Sequence, residues 1–287
     1  MSGNKGAATR PLFFWWRCMR VAIGLEYRGT QYCGWQTQLA GCAVQDHLER
    51  ALEKFLGEPV GTICAGRTDA RVHAMLQVVH LDTDIKREDV SWVRGTNAGL
   101  PADIRVVWAK HVAPDFHARF SAVSRTYRYL LLNDPVECAT FNGMVGWFHT
   151  PLDIEKMRAA ARMLLGEHDF SAYRAADCQA KSPIKTMLET SIAPLARSCG
   201  IIENAQLMVF ALRGNAFLHH MVRNIVGELV YVGSGRRSLA EFREIFDGCD
   251  RTRAAPTFAP DGLYLCNIEY DERFDLPPAR RRHPFGL

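Results

Sequence analysis

One succession of elements runs through this sequence twice. RVAIGLEY (20–27) is strand-like, and AVQDHLERALEKFLG (43–57) sets Val44, Leu48, Ala51, Leu52 and Phe55 on one helical face before Gly57 ends it. VGTICAG (60–66) and MLQVVHLDT (75–83) read as strands, KREDVSWVRGTNAGL (86–100) as a helix stopped before Pro101, and IRVVWAKHV (104–112) as a strand. The second pass has a strand at 125–133, a helix at 153–166, and strands at 184–193 and 206–214. It continues with a long helix at 216–233, an extra helix at 238–248 and a last strand at 262–270. Ser238 and Glu241 form a capping box for the extra helix, and Gly248 stops it.

Each pass is β-α-β-β-α-β, the ferredoxin-like split βαβ unit, so the expected class is α+β. Two copies suggest two sheets side by side with a cleft between them. A sheet face is too shallow to enclose a small molecule but wide enough for a nucleic-acid helix. The expected organisation is an irregular extension (1–19), a first ferredoxin-like domain carrying the loop around Asp69 (20–115), a second (116–272) and a basic tail (273–287).

The 287 residues are 48% hydrophobic and 23% charged, enough for a sizeable core without disulfides or metals. A net charge of +4 permits a nucleic-acid partner without demanding one. Nine cysteines at scattered spacings, with no CxxC, fit a reduced, cytoplasmic setting. The apolar cluster Leu12–Trp16 is too short for a signal peptide or a membrane span. The Arg280–Arg282 run reads as a solvated charge cluster or a phosphate contact.

Chemistry concentrates in three places. AGRTDARVHA (65–74) joins two strands and holds Asp69 between Arg67 and Arg71. A carboxylate beside a guanidinium stays ionised and oriented, which suits a nucleophile; a turn aspartate bonding its own backbone is the plain alternative. In AFLHHMVRNIVGELV, Phe217, Met221, Ile225 and Leu229 face a core, while His219, Arg223 and Gly227 form a separate row. Arg223 in so apolar a helix calls for a carboxylate or phosphate partner, unless it is a surface arginine. Gly227, one turn on, lets another backbone approach. In SRTYRY, Tyr127 and Tyr129 share a strand face, to stack on a base or to fill the core. His219 and His220, read as helical, diverge by about 100° and do not share a metal. No HExxH, GxGxxG or Walker A sequence occurs, so neither a metal nor a nucleotide cofactor is expected.

With those residues in view, the chain resembles the tRNA pseudouridine synthase A family. The resemblance rests on LEYRGTQYCGWQ (25–36), AGRTDARVHA, GTNAGLP (95–101), FHARFSAVSRTYRY (116–129), GEHDFSAYR (166–174), NAFLHHMVRNIVG (215–227) and GLYL (262–265), in family order. It implies uridine-to-pseudouridine isomerisation at positions 38, 39 and 40 of the tRNA anticodon arm, without cofactor or metal. It also implies a homodimer, and two ferredoxin-like halves forming one extended antiparallel sheet with a central RNA-binding cleft. By motif, Asp69 is the nucleophile, Tyr127 stacks on the target base, Arg223 pairs with the aspartate, and Arg67 helps extrude the base. Extrusion costs a few kcal/mol, part of which a tyrosine face returns by stacking.

The chain departs from the family at one informative place. The family pattern is DAGVH; here it is DARVH, with Arg71 in place of glycine. Glycine there signals positive φ or a close approach. Arg71 then either crowds or competes for Asp69, or bends outward to a phosphate. Two functions follow: an active synthase, or a catalytically impaired tRNA-binding protein or RNA chaperone on the same fold.

Overall fold

The computed structural model describes residues 19–195 and 206–278. The Leu12–Trp16 cluster and the Arg280–Arg282 run lie outside the described residues, as do most of the expected extension and part of the tail.

The first half runs β1 (Met19–Tyr27), α1 (Val44–Leu56), β2 (Ile63–Cys64), β3 (His73–Thr83), α2 (Asp89–Gly99) and β4 (Ile104–Val112). The second runs β5 (Ala122–Asn133), β6 (Gly146–Phe148), α3 (Ile154–Arg162), β7 (Gly166–Asp169), β8 (Ile184–Pro194), β9 (Gln206–Gly214), α4 (Met221–Gly233), α5 (Leu239–Asp247) and β10 (Leu263–Tyr270). All ten strands form one mixed, mostly antiparallel sheet, ordered β4-β1-β3-β10-β5-β9-β8-β7, with β2 on β3 and β6 on β5. In the first half β3 separates β1 from β2, and in the second β9 separates β5 from β8, as the split βαβ pattern requires. The two half-sheets join through a short parallel pairing, Tyr264 with His73 and Leu265 with Ala74. The join lies beside the loop that carries Asp69.

Local chemistry sets the helix ends. Gly57 closes α1 in the left-handed region at φ 83°. Ser238 Oγ accepts the Glu241 N–H while the Glu241 carboxylate accepts the Ser238 N–H, the expected capping box. The main core lies between the sheet and the helices, around Trp35, Trp92, Tyr129, Phe170 and Phe210. A smaller cluster of Leu130, Leu132, Val145, Tyr264 and Cys266 lies apart from it. Leu130 and Leu132 alternate with Tyr129 and Leu131 along β5, so this cluster belongs to the opposite sheet face.

Four expectations need correction. The 60–66 stretch contributes only a two-residue strand, since from Ala65 the backbone turns into the Asp69 loop. The 153–166 helix stops at Arg162, and Gly166 opens β7 instead of capping a helix. The long helix starts at Met221, five residues late, because His220 adopts φ 61° and breaks the helical run. Cys33 and Cys42, which their spacing gave no reason to pair, are joined in a disulfide. Between them the Trp35 N–H donates to Thr68 O at 2.9 Å, holding this loop against the Asp69 loop.

Two buried histidines make the fold acid-sensitive. His73 accepts the Gly29 N–H at Nδ1, and His80 accepts the Ala118 N–H at Nδ1. They are 1% and 2% exposed, and burial depresses each pKa from 6.5 to about 4. The unfolded chain therefore binds more protons between those values, and stability is lost as pH falls from about 6.5 towards 4. Urea unfolding should show a loss of about 1.4 kcal/mol per pH unit for each histidine in that window. A flat profile from pH 6.5 to 4.5 would remove both from the account.

Candidate active site

The loop 65–72 between β2 and β3 is held at many points. The Gln77 side chain donates to Gly66 O at 2.6 Å, and Tyr27 and Thr68 share a hydroxyl hydrogen bond of 2.7 Å. The Arg71 N–H donates to Tyr32 O, and the Val72 N–H to Asp69 O. Gly34 sits underneath at φ 102°, where a Cβ would come within 2.8 Å of Thr68 O. Asp69 is thus presented from a constrained backbone, with its side chain 18% exposed.

Arg223, two residues into α4, reaches this carboxylate. Its Nη1 donates to Asp69 Oδ2 at 2.8 Å, and its Nε donates to Phe258 O at 2.9 Å. A guanidinium bonded at both edges fixes the carboxylate it holds. The segment before β10 supplies that second contact. It packs close to α4 at Gly227, where a Cβ would lie 2.5 Å from Pro256 O, so glycine there admits a neighbouring backbone as expected.

Sequence reasoning missed His219 and His220 at this centre. Because His220 is left-handed, the two rings do not diverge: their centroids are 4.0 Å apart. His219 Nε2 lies 3.3 Å from Asp69 Oδ1, and His220 Nε2 lies 3.5 Å from Asp69 Oδ2. His219 Nδ1 donates to Asp177 at 2.9 Å. Burial lowers the His220 pKa, favouring its neutral form. Asp69, His219 and His220 are the described residues that could gather round a cation. The Arg223 guanidinium on the same carboxylate opposes one. The missed signal was the HH pair at the helix entrance, which periodicity alone counts as helical.

Tyr127 lies on β5 beside the loop, with its hydroxyl near Gly66. It is buried, and Phe217 packs edge-on against it at 5.0 Å. Burial and nearby Asp69 raise its phenol pKa, with Arg125 opposing, so it stays neutral. Tyr129, on the same face, is a core residue whose hydroxyl donates to Ala259 O. Arg67 is exposed on the same loop as Asp69.

Arg71 occupies the glycine position at φ 68°, so the site does require left-handed backbone. Its guanidinium neither crowds Asp69 nor awaits a phosphate. It turns to Asp261, with Nε and Nη2 both donating to Oδ1 at 2.9 and 2.5 Å. Nothing in this geometry supports an impaired centre. Arg71→Gly removes about 1–2 kcal/mol of backbone strain and loses an exposed ion pair worth about 0–1. Stability should hold or rise, by no more than about 2 kcal/mol, and turnover should stay within about twofold. A tenfold rise in turnover would show that the arginine obstructs the site.

The centre is a held, partly exposed carboxylate with Arg223, His219 and His220 around it. It defines a class, the enzymes that work through a held, solvent-accessible carboxylate. Comparison with known proteins narrows the class. Residues 25–121 and 160–271 match the family model described as tRNA pseudouridine synthase. The chain is 53% identical over 264 residues to the tRNA pseudouridine synthase A of Janthinobacterium sp. (strain Marseille), covering 90% of this chain and 94% of that one. It is 52% identical over 259 residues to the protein of the same name from Pseudomonas aeruginosa, covering 90% and 88%. The chain belongs to the tRNA pseudouridine synthase family.

Proposed function

We propose that this protein isomerises uridine to pseudouridine at positions 38, 39 and 40 in the anticodon arm of tRNA. It does so in the cytoplasm, as a homodimer, and without metal or cofactor. The observation that carries the reading is the Asp69 carboxylate, held by Arg223 at 2.8 Å yet still 18% exposed. In the reaction the C1′–N1 bond breaks, the uracil turns, C1′–C5 forms, the C5 proton leaves and N1 takes up a proton. Asp69 is the nucleophile. Attack at C1′, removal of a sugar proton and addition at uracil C6 all require the same ionised, aimed carboxylate. Arg223 holds it, Tyr127 offers a face to the extruded base once Phe217 gives way, and Arg67 helps keep the RNA open. Residues 20–115 and 116–272 act as two domains that flank the RNA.

The test is tritium release from tRNA carrying 5-³H-uridine. Release in the presence of chelator, mapped to positions 38–40, is the expected result. Absence of release from every tRNA tried ends the reading.

A further inference from the structure

The turn before β5 carries a feature that the site above leaves unused. Phe120 is 76% exposed, yet it is held rigidly. The Ser121 N–H donates to His117 O, the His117 N–H donates to Ser121 Oγ, and the Arg119 and Phe120 N–H groups both donate to His117 Nδ1. An Nδ1 that accepts two donors leaves the imidazole neutral in this arrangement; burial and Arg20 also depress its pKa. The His117 ring lies under the phenyl at 4.3 Å and 33°. The Arg119 guanidinium sits 5.6 Å from the phenyl centroid. An exposed aromatic fixed by backbone hydrogen bonds, with an aromatic on one side and a cation beside it, has the makings of a base-stacking surface.

Its position links it to Asp69. Arg125 lies on the same β5 face as Tyr127, two residues away. Its Nη2 donates to Ala65 O at 3.1 Å, at the start of the Asp69 loop, and to Arg119 O at 2.7 Å, in the Phe120 turn. Its Nη1 donates to Asn215 O, on the segment leading to His219. One side chain thus ties the Phe120 turn, the Asp69 loop and the approach to α4 together. Arg67 and Arg119 both lie near enough to Cys64 to oppose the rise in its pKa that burial causes. The exposed ring therefore sits among cations on the rim of the candidate site. That pairing suits a polyanion with π-faces better than an apolar protein surface.

We propose that Phe120, backed by His117 and flanked by Arg119, is the stacking platform for an unpaired base of the RNA next to the nucleotide presented to Asp69. This rests on the tRNA reading above and adds to it a second base-binding position. Stacking at a neighbouring base is made equally in ground and transition states, so it acts on KM and leaves kcat alone.

The experiment compares tritium release by the wild-type protein, Phe120→Leu and Phe120→Trp over a range of tRNA concentrations. Phe120→Leu keeps apolar bulk and loses the π-face; an exposed position puts folding at little risk. The expected result is a KM raised about 5- to 100-fold for Phe120→Leu, with kcat within about threefold. Phe120→Trp stays near wild type, and tRNA quenches its fluorescence beyond the quench seen in the wild-type protein. An unchanged KM in Phe120→Leu, or an equal rise in both variants, overturns the platform. If the wild-type protein releases no tritium, the functional reading falls on its own. The added quench in Phe120→Trp on titrating tRNA then decides the platform separately: its presence keeps it and its absence ends it.

Discussion

Asp69→Asn is expected to lower tritium release by about 10³-fold or more while the protein folds and binds tRNA as before. The substitution keeps the shape of the side chain and removes its charge. An amide oxygen still accepts from Arg223 Nη1, so the loop between β2 and β3 keeps its place. An amide is not a nucleophile under these conditions, so no route through the carboxylate survives. Stability should hold or rise, because few folding contacts depend on the lost charge and active-site polar groups are often kept at a cost to stability. Binding should hold or tighten, because Arg223, His219 and His220 are left without the anion they face. Residual release above about a tenth of the wild-type rate would remove Asp69 from the nucleophile's role. Loss of tRNA binding together with activity would make its role structural.

Glu228→Ala should cost about 3–5 kcal/mol of folding stability, the largest effect expected away from the site. Glu228 lies in the middle of α4 and is 0% exposed. Its Oε1 meets Arg237 Nε, and its Oε2 accepts the Ala255 N–H at 2.7 Å. Burial raises its pKa, and the Ala255 N–H, Arg237 and Arg251 pull the other way. Removing the carboxylate strands a mostly buried guanidinium and a buried N–H together. Glu228→Gln keeps an acceptor for Ala255 and should lose less, about 1–3 kcal/mol. Activity should fall along with stability in Glu228→Ala, since Ala255 leads into the segment whose Phe258 O orients Arg223. Urea midpoints and tritium release on the same preparations check both points. A loss below about 1 kcal/mol would show that the pair contributes little beyond its own desolvation.

Much of this architecture was legible because it depends on short-range pattern. Strand β4 follows from alternation, α1 from one apolar stripe and a terminal glycine, and α5 from a capping box. Arg223 was legible because a charge in an apolar helix needs a partner, and Asp69 because a carboxylate between two arginines on a strand connection is unusual. Strands β6 and β7, of three and four residues, were not legible. Segments that short carry too little periodicity to separate from loop. The histidine pair was misread because a periodic stripe extends smoothly through residues 216–220, whereas one left-handed residue ends it.

By itself the sequence determined the repeated β-α-β-β-α-β order, the loop that presents Asp69 and the helix that presents Arg223. Each of these is a local matter of side-chain period, turn chemistry and backbone sterics. Only the tertiary structure decided which groups meet. It brought Arg223 to Asp69 across 154 positions of chain, turned Arg71 to Asp261 across 190, and folded both histidines onto one carboxylate. The physical reason is that β10 closes the chain by inserting between β3 and β5. Contacts so distant in sequence are fixed by how two half-sheets dock, and no local propensity encodes that docking.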